Sequence, residues 1–201
     1  MMSRPLLRVF DVLLSVTGIL LLSPVMFFTA LCILTFDGTP VLYVQQRVGR
    51  YGADFRLFKF RTMRRNAEAD GQLTIGGRDS RITRTGHFLR RYKLDELPQL
   101  FNVVSGSMSL VGPRPEVRRY VERYTAEQRR VLEVRPGITD EASILYSDEN
   151  RLLGGQADPE KYYLEVVMPD KIRLNMRFID HGGPRAYFGI IFRTLLKVLR
   201  G

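Results

Sequence analysis

Val12 to Phe36 reads VLLSVTGILLLSPVMFFTALCILTF, 25 residues without one charge. As an α-helix at about 1.5 Å per residue, this stretch can cross a hydrocarbon core about 30 Å thick. A cleaved signal peptide fits it poorly: the run is long, it lacks an A-x-A site, and Leu31 stands where a lipoprotein signal before Cys32 wants a small residue. Ser23 and Pro24 lie at the midpoint. Proline removes a backbone donor and crowds the preceding turn, whereas the serine hydroxyl can bond a freed carbonyl, so a kink is expected there. Arg4 and Arg8 precede the run, and Arg47, Arg50, Arg56, Lys59 and Arg61 follow it. Both flanks therefore carry the positive charge that the cytoplasmic side attracts. A re-entrant helix that enters and leaves one leaflet satisfies both flanks. A kinked spanning helix is the competing topology, and these residues alone leave the two open. Asp11 falls one helical turn after Arg8, which predicts an interfacial ion pair with no part in chemistry.

Beyond the apolar run, Val41 to Gln45 reads as a strand, and FRLFKF (55–60) shows the aromatic and basic alternation of a half-buried one, with a basic face toward water or an anion. From Arg47 through Lys93 there are thirteen Lys or Arg against four acids. That segment holds most of the chain's formal +10, and a basic surface resting on anionic lipid accounts for many of its residues. Gly76-Gly77 and the polar run around them read as a mobile loop.

LDELPQLFNVVSG (94–106) reads as a helix start. Asp95 is a good N-cap, Glu96 an acid of the first turn, and Pro98 sits where a missing N–H costs least. Leu97, Leu100, Phe101 and Val104 then follow at the spacing of an apolar face. The helix dipole favours ionised carboxyls at Asp95 and Glu96, which suits a metal-binding pair, a nucleophile or a plain cap. In SMSLVGPRPE (107–116), Arg114 stands between two prolines, a stiff mount for a phosphate-gripping guanidinium or an ordinary turn. Residues 115–133 read as a solvated charged helix. Pro184 to Arg200, apolar and basic without an acid, reads as an interfacial helix, with core packing as the alternative.

Composition narrows the classes. The 201 residues, 45% apolar and 26% charged, are enough for one folded domain plus an appendage. One cysteine, Cys32, forms no internal disulfide, and His87 and His181 offer no zinc-ligand spacing. The nucleotide-binding glycine motifs and the G-x-S-x-G elbow are missing.

KFRTM (59–63), LDELPQLFNVVSGSMSLVGPRPE (94–116) and PGIT (136–139), in this order behind an apolar run with Ser-Pro at its centre, closely resemble the bacterial sugar transferase family. More narrowly they resemble its small monotopic members, the polyprenol-phosphate phosphoglycosyl transferases. The resemblance covers nearly the whole chain. It implies an α+β, mostly helical, monotopic membrane protein: a re-entrant membrane helix in residues 1–38, kinked at Ser23-Pro24, and a catalytic domain in 39–201 with amphipathic interfacial helices. Both termini would face the cytoplasm at the bacterial inner membrane. The implied reaction moves a sugar-1-phosphate from a UDP-sugar to polyprenol (undecaprenyl) phosphate and releases UMP, the first membrane step of surface glycan synthesis.

Carried over by position, Asp95 resembles the family nucleophile that forms an aspartyl phosphosugar, and Glu96 its partner, with Mg2+ held at the pair. Lys59, Arg61, Arg90 and Arg114 match positions near the diphosphate. Arg114 is expected to grip a phosphate, and Lys59 and Arg90 to hold the dyad or the substrate. Arg8 and Asp11, with Ser23 and Pro24, match the re-entrant helix. The implied partners are UDP-sugar, polyprenol phosphate and anionic membrane lipids rather than nucleic acid. The oligomeric state stays open, a dimer included.

After PGIT many members continue G-x-A-Q-V-N-G-R-N, whereas this chain reads DEASILYSDENR (140–151), so recognition by that loop must lie elsewhere. Arg151 and the segment KYYLEVVMPDK (161–171) are the candidates. The lack of further N-terminal membrane helices in this sequence favours an N-acetylated amino sugar over glucose or galactose. A reading from another class, a membrane-anchored polyanion binder, predicts dispensable Asp95 and Glu96 and steep salt dependence.

Overall fold

The computed structural model describes residues 4–67, 76 and 79–200. The expected loop about Gly76-Gly77 lies, apart from Gly76, outside the described residues. Among the described residues the chain is mostly helical with two small sheets, in agreement with the expected mostly helical α+β content.

Helix α1 runs unbroken from Arg4 to Phe36 with Pro24 inside it. Proline cannot bond the carbonyl four residues back, that of Leu20. The Ser23 hydroxyl donates to that Leu20 carbonyl at 2.8 Å instead, so the helix passes through Ser23-Pro24 without stranding an acceptor. At about 1.5 Å per residue it is about 50 Å long. It is long and apolar enough to cross a membrane. Its exposed surface is leucine and phenylalanine, including Leu20, Leu21, Phe27 and Phe28, while Asp11, Ser15, Thr29 and Ile33 are buried at the three- and four-residue spacing of one helical face. The polarity is inverted relative to a water-soluble helix.

Strands β1 (Leu42–Val48) and β2 (Asp54–Phe60) form an antiparallel hairpin in register from Leu42↔Phe60 to Val48↔Asp54. Arg56 and Lys59 are three residues apart and so project from opposite faces, which replaces the single basic face expected of this strand. Helix α2 (Arg84–Arg91) is capped by Thr83, whose hydroxyl accepts from the Gly86 amide at 2.9 Å. Gly86 sits so close to Thr62 that a Cβ would meet the Thr62 carbonyl oxygen at 2.1 Å, which locks α2 onto the end of β2.

A single 3-10 turn, Leu94–Glu96, precedes α3 (Gln99–Ser105). The helix thus starts later than the sequence suggests, with Pro98 rather than Asp95 at its N-cap. Its polarity is also reversed. Gln99, Asn102 and Val103 are buried, and Phe101 and Val104 are exposed. Asn102 explains part of the inversion: its carbonyl oxygen accepts from the Phe58 amide at 3.0 Å and its NH2 donates to the Arg56 carbonyl at 2.8 Å, clamping the outer edge of β2.

Strands β3 (Ser109–Val111) and β4 (Gly137–Thr139) pair in parallel. The chains cross where Gly112, the residue after β3, meets Gly137, the first of β4: a Cβ on Gly137 would lie 2.1 Å from the Gly112 nitrogen. Residues 115–133 contribute core rather than a solvated helix. The segment breaks into α4 (Arg118–Val121) and a 3-10 turn, and buries Val117, Tyr120, Val121, Tyr124 and Val131. These pack with Val48, Leu153, Tyr163, Val167 and Ile172. Helices α5 (Glu141–Leu145), α6 (Glu149–Gly154), α7 (Pro159–Tyr162) and α8 (Met168–His181) complete this body, α7 and α8 being joined by a π-helical turn. Helix α9 (Pro184–Arg200) buries Tyr187 and Ile190 against Val111, as the core-packing reading expects, and leaves Phe188, Phe192, Leu195 and Leu199 exposed on its other side.

The two ends of α1 dock on the same body. Arg8 donates to the Val103 carbonyl at 2.6 Å and to the Met108 carbonyl at 3.1 Å, closing the C-terminal end of α3. Asp11 accepts from the Ser109 hydroxyl at 2.7 Å, the Leu110 amide at 2.9 Å and the Tyr187 hydroxyl. The expected Arg8–Asp11 pair is thereby replaced by two separate attachments, because each group finds partners brought from distant sequence. At the other end, Ile33 packs with Phe60 and Leu89. Arg61 donates to the carbonyls of Asp37, Gly38 and Thr39, the residues that follow α1.

Candidate active site

Four pieces of chain converge on one cleft: the end of β2, the C-terminal half of α2, the turn Leu94–Glu96, and the Pro-Arg-Pro segment after β3. The cleft has a volume of about 960 Å³ and is lined by Lys59, Arg61, Arg90, Asp95, Glu96 and Arg114, among others. The six polar positions expected from sequence are therefore brought together, although they do different work.

Arg114 forks onto Glu96, Nη2 to Oε1 at 2.5 Å and Nη1 to Oε2 at 3.3 Å. Lys59 Nζ lies 3.4 Å from Glu96 Oε1. Burial alone would raise the Glu96 carboxyl, but Arg114 and then Lys59 hold it well below the usual carboxylate range. Arg114 is thus engaged by Glu96 and is not an isolated phosphate grip. Its backbone is fixed as well: the Arg114 amide donates to Asp140 Oδ2 at 3.1 Å. Asp140 is itself buried and caps α5 through the Ser143 amide at 2.5 Å. Because Arg114 and Asp140 each follow a strand of the parallel pair, the glycine crossing delivers both to the same point.

Asp95 contrasts with its neighbour. It is buried, and its Oδ1 has no hydrogen-bond partner among the described residues. Burial first, then the charge of Glu96, pushes its carboxyl above the usual range, against the opposing pull of Lys59 and Arg90. The expectation that the helix dipole keeps both carboxyls ionised agrees with the lowered Glu96, whereas burial works against it at Asp95, which sits in a turn before α3 and not at its cap. Lys59 is pushed down to about 8, chiefly by burial, with Arg114 adding to the effect and Glu96 opposing it. Arg90 donates from Nε to Thr62 Oγ1 at 2.9 Å, and burial pulls its guanidinium below its usual range. Arg61 borders the cleft, and its guanidinium bonds the chain after α1, which tethers the end of that helix.

Among the described residues no three or more His, Cys, Asp or Glu side chains gather to hold a metal. A two-carboxylate site is compatible with Mg2+, which keeps waters and takes further ligands from substrate phosphates. The unpartnered Asp95 Oδ1 is the oxygen best placed for such an ion.

The segment 140–151, where the expected family loop is absent, supplies Ser143, Tyr146, Ser147, Glu149 and Asn150 to the cleft. Of the two candidate replacements, Lys171 borders the cleft and Arg151 does not. Lys171 pairs with Glu149 at 2.8 Å. Sequence reasoning missed Asp140, Asn102, Glu149 and Tyr187. Only the Ser-Asp acidic run at 147–149 hinted at one of them.

The sequence matches the family model described as bacterial sugar transferase over residues 2–201. A UDP-N-acetylgalactosamine-undecaprenyl-phosphate N-acetylgalactosaminephosphotransferase of Aeromonas hydrophila is 39% identical over 199 residues, which is 96% of this chain and 44% of the relative. An undecaprenyl-phosphate galactose phosphotransferase of Salmonella typhimurium is 41% identical over 155 residues, 68% of this chain and 32% of that protein. An undecaprenyl-phosphate glucose phosphotransferase of Komagataeibacter xylinus is 40% identical over 148 residues, again 68% of this chain, and 27% of the relative. The chain thus spans less than half the length of these three. With the match extending from the apolar helix through α9, the chain belongs to the bacterial sugar transferase family.

Proposed function

We propose that this chain transfers a sugar-1-phosphate from a UDP-sugar to undecaprenyl phosphate, with Asp95 as the nucleophile. The observation that carries the reading is the pair of unlike carboxyls, Glu96 bound by Arg114 and Lys59, and Asp95 buried with an oxygen that bonds nothing. An Asp95 oxygen attacks the phosphorus that bears the sugar, the bridging P–O bond breaks, and UMP leaves with both electrons of that bond. A phosphate oxygen of the lipid then attacks the same phosphorus, which frees the Asp95 carboxylate and forms the polyprenyl diphosphate sugar.

An anionic nucleophile meets an anionic diphosphate here, so positive charge around the cleft must offset the repulsion. Lys59 and Arg90 offset part of it, and Arg114 keeps Glu96 from turning toward the incoming phosphate. Mg2+ at Asp95 and Glu96 would neutralise diphosphate charge when bound.

The membrane arrangement follows the same reading. A helix with both ends docked on one body, and with leucine and phenylalanine exposed between them, favours a re-entrant α1 that dips into one leaflet. The exposed faces of α3 and α9 would lie at the same surface, in contact with anionic lipid on the cytoplasmic side. For the sugar, an N-acetylated amino sugar is favoured because the relative matching 96% of the chain is named for N-acetylgalactosamine. A hexose is the second reading, favoured by the galactose and glucose relatives.

The test is UMP release from a panel of UDP-sugars by full-length protein in detergent with Mg2+ and undecaprenyl phosphate, together with mass spectrometry of the protein in the absence of the lipid. A sugar-phosphate adduct on wild type, lost in Asp95→Asn, supports the assignment. Turnover that survives Asp95→Asn removes Asp95 as nucleophile, and binding of polyanions without turnover on any donor returns the non-enzymatic reading.

A further inference from the structure

Lys93, two residues before Asp95, occupies the left-handed region at φ 55°, ψ 21°. That region places the Cβ of an L-residue against its own backbone, so it favours glycine or asparagine. Lysine contributes nothing to the conformation, since its side chain has no short polar group to bond locally. The conformation itself has a clear use. The Lys93 carbonyl accepts from the Glu96 amide at 3.2 Å, which closes the turn that aims Asp95 and Glu96 into the cleft.

The side chain is exposed on the cleft wall. Neighbouring cations are engaged: Lys59 and Arg114 with Glu96, Arg61 with carbonyls, and Lys171 with Glu149. The Lys93 ammonium makes no hydrogen bond or ion pair among the described residues. A flexible, uncommitted ammonium beside two carboxyls is suited to a mobile anion that arrives and leaves.

We propose that Lys93 is a phosphate-contacting residue of the cleft, its ammonium bonding a phosphate oxygen of whichever substrate stands over the dyad. This rests on the transferase reading above. Two phosphate sources share that chemistry, the diphosphate of the donor and the phosphate monoester of the lipid acceptor.

The experiment measures dissociation constants of full-length protein in detergent for UDP and, separately, for dodecyl phosphate, with wild type, Lys93→Gly and Lys93→Arg. Glycine keeps the left-handed turn and removes the ammonium, and arginine restores a cation. Lys93→Gly is expected to weaken one or both ligands about tenfold, the scale of a lost charge-assisted bond, with thermal stability equal to or above wild type. Lys93→Arg is expected to recover most of that loss. A loss confined to UDP assigns the contact to the donor, and one confined to dodecyl phosphate assigns it to the acceptor. Unchanged affinity of Lys93→Gly for both ligands, or equal losses in the glycine and arginine variants, overturns the proposal while leaving the transferase reading in place. Wild type that binds neither ligand overturns both.

Discussion

Asp11 follows Arg8 by three residues and Asp95 follows Lys93 by two, and both aspartates are buried. Asp11 accepts from Ser109, Leu110 and Tyr187, and its environment leaves little for it to do but hold α1 to the body. Asp95 retains an oxygen without a partner and borders the cleft. A buried polar group without a partner costs free energy, so such a group persists where another molecule supplies the partner. The difference between the two aspartates separates attachment from chemistry more sharply than burial or charge does.

The comparison breaks most visibly at Asp95→Asn, which should lower turnover by on the order of 10⁴-fold while leaving the thermal unfolding transition in detergent nearly unmoved. Asp11→Asn should do the opposite. With at least one of its three hydrogen bonds made poorly, it should lose about 2 kcal/mol of stability, read as a lowered unfolding temperature, with active protein remaining in the folded fraction.

Lys59 offers a sharper, pH-based test. Its folded-state pKa of about 8 lies below its usual value, so its charge is lost as pH rises through about 8. Activity should therefore fall on the alkaline side with an apparent pKa near that value, and Lys59→Arg, which cannot deprotonate in this range, should flatten that limb. The stability sign is the reverse. The unfolded chain binds more protons than the folded one between the two values, so the Lys59 contribution to stability grows as pH rises above about 8. The smallest effect should come from a carboxylate that is paired but solvent-washed. Asp180, 2.9 Å from Arg130 with both side chains well exposed, should cost less than about 1 kcal/mol on replacement by asparagine, and nothing in turnover.

The exposed apolar surface of α1 is legible in its uncharged run, whereas the polarity of α3 shows where local reading fails. Period and composition located both helices and both hairpin strands, because spacing and turn residues are local signals. They also grouped Leu97, Leu100, Phe101 and Val104 on one apolar face without showing what that face meets. In the structure Asn102 takes the inward position by clamping β2, Leu97 packs with Ile33, Phe60 and Leu89, and Phe101 and Val104 are exposed. Likewise, 115–133 reads as a solvated helix by its charges, yet its valines and tyrosines form the core around Tyr163. Charge density along a chain does not reveal which of its residues a distant segment will cover.

The sequence by itself determined the long apolar helix with its Ser23-Pro24 midpoint, the family, and the positions of Asp95, Glu96, Lys59, Arg90 and Arg114, since each rests on residues close together in the chain. Only the tertiary structure decided which carboxyl is bound and which is left open, that Arg8 closes α3 while Asp11 meets Tyr187 across 176 positions, and that Arg61 tethers the end of α1. These outcomes depend on a parallel strand pair crossing at Gly112 and Gly137, and on two ends of one helix returning to one body. Partners chosen by long-range packing leave no trace in local spacing, because the free energy of each bond is set by what the rest of the fold brings within about 3 Å.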